Sequence, residues 1–202
     1  TYADYFFKRA PGFFDVVCYT GNGGTTSRSH SLGVVPELLI ARWRTGATGD
    51  RWCVYSSALG VNNGLYLDTT DSALGSGFWG GVAPTTTTFS SGSQVNVLNA
   101  TYVAYLFATL AGISKVGSYT GNGTTQTINC GFAAGARFIL IKRTDSTGDW
   151  YVWDSARGIV AGNDPHLSLN TTAAEVTTDD SVDVDSTGFI VNQVAATNIN
   201  VN

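Results

Sequence analysis

Apolar and polar residues alternate along this chain with a period of two. Over residues 13–19, Phe14, Val16 and Cys18 share one face of an extended segment, and Phe13, Asp15, Val17 and Tyr19 the other. Residues 38–44 repeat the pattern, with Leu39, Ala41 and Trp43 opposite Leu38, Ile40 and Arg42, and residues 52–57 set Trp52 and Val54 against Cys53 and Tyr55. Between such stretches lie Gly21-Asn22-Gly23-Gly24 and Asn62-Asn63-Gly64. Their Asn-Gly steps tolerate the positive φ of a tight turn. Shorter strands are expected at 2–8, 27–32, 65–67, 85–90 and 94–99. No stretch keeps a helical period for the roughly ten residues a helix needs. The pattern predicts an all-β chain of short antiparallel strands.

The pattern also occurs twice. Residues 2–23 read Y-A-D-Y-F-F-K-R-A-P-G-F-F-D-V-V-C-Y-T-G-N-G, and 102–123 read Y-V-A-Y-L-F-A-T-L-A-G-I-S-K-V-G-S-Y-T-G-N-G, a gapless register of 100. Residues 138–142 match 38–42, Thr147-Gly148-Asp149-Trp150 matches 48–52, and Phe189 falls opposite Phe89. Two tandem jelly-roll-like antiparallel β-sandwiches, about 100 residues each, are therefore expected. Residues 102–108 would close the first, while 13–19 and their counterpart 113–119 would open each. The organisation expected is a strand over 1–10, a first sandwich over 11–110, and a second over 111–202. That second sandwich would lack its closing strand, as in a window of a longer repetitive polypeptide. Residues 2–8, with Tyr2, Tyr5, Phe6 and Phe7, are then a closing strand for a neighbouring module.

Positions kept in both copies, such as Gly21 and Gly121 or Trp52 and Trp150, point to scaffold. A site belongs where the copies differ. Arg143 stands opposite Trp43, Trp79 has no aromatic counterpart, and an acidic loop at 179–185 replaces the glycine-rich stretch around Trp79. Trp43, Trp79 and Trp153 are the candidates for stacking on a sugar ring or anchoring a protein, with core packing as the competing role.

Composition narrows the chemistry. Charged residues make up 13% and the net charge is −4, which argues against nucleic acid. Lys8 with Arg9 and Lys142 with Arg143 are only pairs. No apolar run suits a membrane helix. Cys18, Cys53 and Cys130 are too far apart for a zinc site and odd in number, so buried free thiols are expected. His30 and His166 lack a G-x-S-x-G elbow and are read as hydrogen-bonded or solvated. Glu37 and Glu175 do not form a glycosidase pair in the sequence, so no enzyme activity is expected. The loop at 179–185 carries oxygens suited to calcium but lacks the twelve-residue calcium-loop pattern, and is read as solvated. No metal and no cofactor are expected.

Four phrases carry a family resemblance: Phe6-Phe7-Lys8-Arg9-Ala10-Pro11-Gly12-Phe13-Phe14-Asp15-Val16-Val17-Cys18-Tyr19-Thr20-Gly21, Leu32-Gly33-Val34-Val35-Pro36-Glu37-Leu38, Thr101-Tyr102-Val103-Ala104-Tyr105-Leu106-Phe107-Ala108, and Gly148-Asp149-Trp150-Tyr151-Val152-Trp153-Asp154-Ser155-Ala156-Arg157-Gly158. With these the chain resembles a β-rich module of unknown function found in tail-fibre and other virion structural proteins of tailed bacteriophages. The resemblance implies a place in the virion, at a tail fibre or other surface appendage. The role implied is structural or host-recognising, with copies of itself, adjacent virion proteins, or a host-surface glycan or protein as partners.

Overall fold

The computed structural model describes residues 4–45, 51–75, 77–192 and 197–201. Tyr2, one of the aromatics of the expected strand at 2–8, lies outside them. Fourteen strands and one three-residue 3-10 turn make up the regular structure of the described residues. The chain divides into two compact units, Thr1–Gly64 with Gly75–Leu110, and Leu65–Leu74 with Ala111–Asn202.

In the first unit the strands are β1 (Phe14–Thr20), β2 (Thr26–Ser29), β3 (Leu38–Trp43), β4 (Trp52–Ser56), β5 (Asn63–Tyr66), β6 (Leu74–Gly75), β7 (Thr88–Ser91) and β8 (Thr101–Phe107). The main sheet has the order β1-β8-β3-β4-β5-β6, and the chain passes between units at its last two strands. β8 is held on both sides, with Val17↔Ala104 towards β1 and Ala41↔Ala104 towards β3. Its alternation follows from that position: Tyr102, Ala104 and Leu106 are at most 1% exposed, while the residues between them are half-buried. β2 and β7 pair separately. Phe14, Leu39, Val54, Trp79 and Phe89 are among the buried residues of this unit.

The second unit contains β9 (Gln126–Asn129), β10 (Phe138–Lys142), β11 (Trp150–Asp154), β12 (Leu167–Ser168), β13 (Val182–Asp185) and β14 (Gly188–Val191). Its sheets are β10-β11-β12 and β13-β14-β9. The repeat is visible in the register. Arg28↔Phe89 in the first unit is matched by Ile128↔Phe189 in the second, and Leu39↔Tyr55 by Ile139↔Trp153. Ile139, Ile141, Tyr151, Trp153, Val182, Phe189, Val191 and Ile199 form its core. Residues 65–74, taken from the first repeat, are bonded into this unit: Trp150 Nε1 donates to Tyr66 O at 2.8 Å, and the Gly148 amide to Thr70 O at 2.9 Å.

Each unit is locked by a buried asparagine. The Asn96 Oδ1 accepts the Asn22 amide at 3.0 Å and Arg28 Nη2 at 2.6 Å, and its Nδ2 donates to Asn22 Oδ1 and to Gly24 O. Asn200 holds the second turn likewise, accepting from the Asn122 amide and donating to Thr124 O at 2.7 Å. Beside these anchors, Tyr19 and Tyr119 donate to Val95 O and Ile199 O, and burial raises both phenols above their ordinary pKa. A side chain at Gly21 or Gly121 would meet the carbonyl of Val97 or Val201, which is why both turns keep glycine.

Several expectations need correction. Residues 4–8 form no strand within this chain: the strand that the repeat assigns to them closes a neighbouring module, and the place beside β3 of their own unit is filled by β8. Phe7 instead packs on Phe14 and Phe107, with ring centroids 5.7 and 5.5 Å apart. Residues 115–119 are not a strand either, since no counterpart of β8 lies beside them among the described residues. Over 94–99 the chain makes a 3-10 turn (Ser93–Val95) and a further turn. The acidic segment is not a solvated loop: its second half is β13, with Ser181 and Val182 buried. Of the thiols only Cys53 is buried, while Cys18 is exposed and Cys130 half-buried.

Candidate functional site

A sheet is complete only where both edges of each strand are used or covered, because unpaired N–H and C=O groups invite another strand. β3 has β4 on one side and β8 on the other. Its counterpart β10 has β11 on one side and, among the described residues, no strand on the other. The residues that would flank such a strand are also less covered. Phe13, just before β1, is half-buried, whereas its counterpart Ile113 is 63% exposed. β10 alternates Ile139 and Ile141, both buried, with half-buried Leu140 and Lys142. Burial lowers the pKa of the Lys142 ammonium, which donates to Gly148 O at 2.7 Å and Thr70 O at 3.1 Å.

The chain also carries a segment patterned like the strand that fills this place in the first unit. Residues 2–8 align with 102–108, and within them Phe6 is 92% exposed and Tyr5 38%. Large aromatic side chains in that state are what an interface covers. The structure thus shows an edge in the second unit and an exposed aromatic segment in the first.

The tryptophan candidates fare differently. Trp79 and Trp153 are 2% and 0% exposed, so their rings have no face open to a sugar. Trp79 stands edge-on to Tyr55, and Trp153 packs on Tyr151 and His166. Trp43 is half-buried, stacked on Tyr102, and lines a recess of about 90 Å³ with Arg51, Gln94 and Val97. That is well below the roughly 300 Å³ at which small-molecule pockets begin.

Both histidines are tied to their surroundings through ring nitrogens. His30 Nε2 meets Thr85 O at 3.2 Å and its Nδ1 accepts the Leu32 amide. Around His166 the order is serine, carboxylate, imidazole: Ser181 Oγ donates to Asp179 Oδ2 at 2.7 Å, and Asp179 Oδ1 lies 3.2 Å from His166 Nδ1. The carboxylate stands in the middle, so the Ser181 hydroxyl hydrogen-bonds to Asp179 and not to the imidazole. Asp154, within the motif at 148–158, caps the Ala156 and Arg157 amides and pairs with the Arg157 guanidinium at 2.5 Å. Arg157 also meets Glu175 at 3.3 Å. The motif is a turn lock.

One grouping was not visible in the sequence. Asp164, Asp180 and Asp183 place carboxylate oxygens within 4.8 Å of one another. Asp164 is fully buried, which, with the neighbouring charges of Asp183 and Asp180, pushes its carboxyl up to about 6. Asp180 and Asp183 belong to the acidic segment, but Asp164 comes from the loop before β12. The one sequence signal was its Asp-Pro turn in a stretch where the first repeat offers no equivalent acid.

No helix among the described residues is long and apolar enough to cross a membrane. In comparisons with known proteins, a family model described as Domain of unknown function (DUF7483) matches residues 9–202. No curated protein and no solved structure matches the chain.

Proposed function

The chain belongs to the DUF7483 family, and from that premise we propose a structural, non-enzymatic role, in which the chain is a module of a tailed-phage appendage assembled by strand donation between neighbours. The observation that carries this reading is the contrast between β3, paired on both edges, and β10, paired on one edge among the described residues. The two units are read as tandem jelly-roll-like sandwiches, the second completed from outside. The donor is residues 2–8 of a neighbouring copy, which align with β8 residue for residue.

Transferring the β3–β8 register to β10 sets the pairing. Leu39↔Leu106 becomes Ile139 against Phe6 of the neighbouring copy, and Ile40↔Tyr105 becomes Leu140 against its Tyr5. Backbone hydrogen bonds along the edge give the affinity and the alternate side chains give the register. Asp4 falls where Ala104 is buried, so the donated strand is a weaker partner than β8. Repetition along a fibre compensates for weak single contacts. The virion setting rests on the family resemblance of the motifs at 6–21, 32–38, 101–108 and 148–158.

Host-surface attachment is the second reading, and Trp43 is the tryptophan candidate that retains solvent access. Loss of whole-cell or glycan-array binding in Trp43→Ala would support it; equal binding would remove it. The main reading is tested by sedimentation velocity over a range of concentrations. The wild-type chain is expected to associate head to tail, and Phe6→Asp, at a side chain 92% exposed, to stay monomeric while folding normally. A wild-type chain that never associates, or a variant that associates equally, refutes it.

A further inference from the structure

The carboxylates of Asp164, Asp180 and Asp183 come from two separated stretches, the loop before β12 and the start of β13. Each is aimed by a neutral donor. The Val160 amide donates to Asp164 Oδ1 at 2.8 Å and the Gly162 amide to Asp183 Oδ1 at 2.9 Å. Asn192 Nδ2 donates to Asp180 Oδ1 at 2.6 Å and to Asp183 Oδ2 at 3.0 Å. No lysine or arginine is among these donors. A second observation is independent of the clustering: Asp164 is 0% exposed and its Oδ2 has no hydrogen-bond partner. A buried carboxylate oxygen left without a donor beside two more carboxylates is unfavourable unless positive charge joins them.

We propose that Asp164, Asp180 and Asp183 bind a calcium ion in the second unit, with the free Asp164 Oδ2 as its innermost ligand. The donor set is all oxygen, which selects a hard cation over zinc or copper. Calcium–oxygen distances of about 2.3–2.6 Å let ligands on one ion stand up to roughly 5 Å apart, which accommodates a group within 4.8 Å. Magnesium, at about 2.0–2.1 Å and in a near-ideal octahedron, fits a wide and irregular set less well. Asp164 is anchored to the strand pair β13–β14 through the Asp164 amide, which donates to Asp179 O at 3.0 Å. The ion therefore ties the loop at 158–166 to that hairpin. The glycine-rich stretch at the matching place in the first repeat has no acid, so that place in the first unit offers no equivalent site.

The test is calorimetric titration of calcium chloride into the chelator-treated whole chain at neutral pH, together with thermal unfolding in calcium and in chelator. One site with a dissociation constant at or below about 1 mM is expected, as in extracellular calcium modules. The unfolding temperature is expected to rise by about 3–5 °C at ten times that constant. Magnesium at equal concentration should give a smaller shift. Asp164→Asn should abolish heat and shift while unfolding in chelator no earlier than wild type; Asp180→Asn, at the half-exposed rim, should abolish them too. Asp145→Asn, an exposed acid paired with Arg143, should leave both intact. Absence of calcium heat in the wild type up to roughly 10 mM, or a shift that survives Asp164→Asn, overturns the proposal and leaves the cluster holding a proton only.

Discussion

Asn96 contributes more to the first unit than its single amide suggests. It satisfies the Asn22 amide, the Gly24 carbonyl and Arg28 at once, and is itself 0% exposed beneath a turn whose residues lie at the surface. Asn96→Ala removes these bonds while water can still reach the partners, and is expected to cost about 1–2 kcal/mol in chemical denaturation. Asp15 makes a complementary case for charge. It is 1% exposed, and burial opposes its ionisation, yet the Arg9 guanidinium and the amides of Ser31 and Val16 hold its carboxyl below the ordinary value of 3.8. The unfolded chain therefore takes up this proton first as pH falls. The stabilisation is complete above about pH 4 and is lost on passing down through the folded value. Asp15→Asn should flatten that acid limb of a stability–pH curve; an unchanged limb would remove Asp15 as its cause. In the sequence Asp15 was one polar position in an alternating strand, and nothing local marked it as buried, because its partners lie at 9 and 31.

Element positions were legible where the repeat supplied them. β9 and β14 fall 100 residues after β2 and β7, with the same pairing. What pattern could not show was occupancy. Residues 2–8 and 102–108 look alike as strands, but only one segment fits beside β3, and β8 holds it. Residues 113–119 lose strand form for the converse reason. The aromatic residues of the glycine-rich stretch misled differently: Phe78 and Trp79 are buried because Gly64 and Gly92 let the chain approach them closely. A prediction follows at this scale. Extending the chain after Asn202 with a copy of residues 99–109 should supply the missing neighbour of β10. The graft should raise the unfolding temperature of the second unit and slow amide exchange in β10 to the level of β3. No change in either would show that β10 does not accept a strand of this pattern.

For the whole molecule, a module with an exposed aromatic segment and an open strand edge is suited to linear association, since donor and acceptor are different surfaces and the contact is heterologous. Such contacts build filaments unless the rotation closes them into a ring. The trio at Asp164, Asp180 and Asp183 was hidden from the sequence because its buried member is remote from the acidic run. The strand edge was foreshadowed by the repeat itself.

The most direct measurement is hydrogen–deuterium exchange at the β10 amides of Ile139, Leu140 and Ile141 as a function of chain concentration. Strand donation predicts fast exchange in dilute solution and protection approaching that of Leu39, Ile40 and Ala41 as concentration rises, with no such gain in Phe6→Asp. Exchange at β10 that is independent of concentration, or protection equal in wild type and Phe6→Asp, would contradict assembly through this edge.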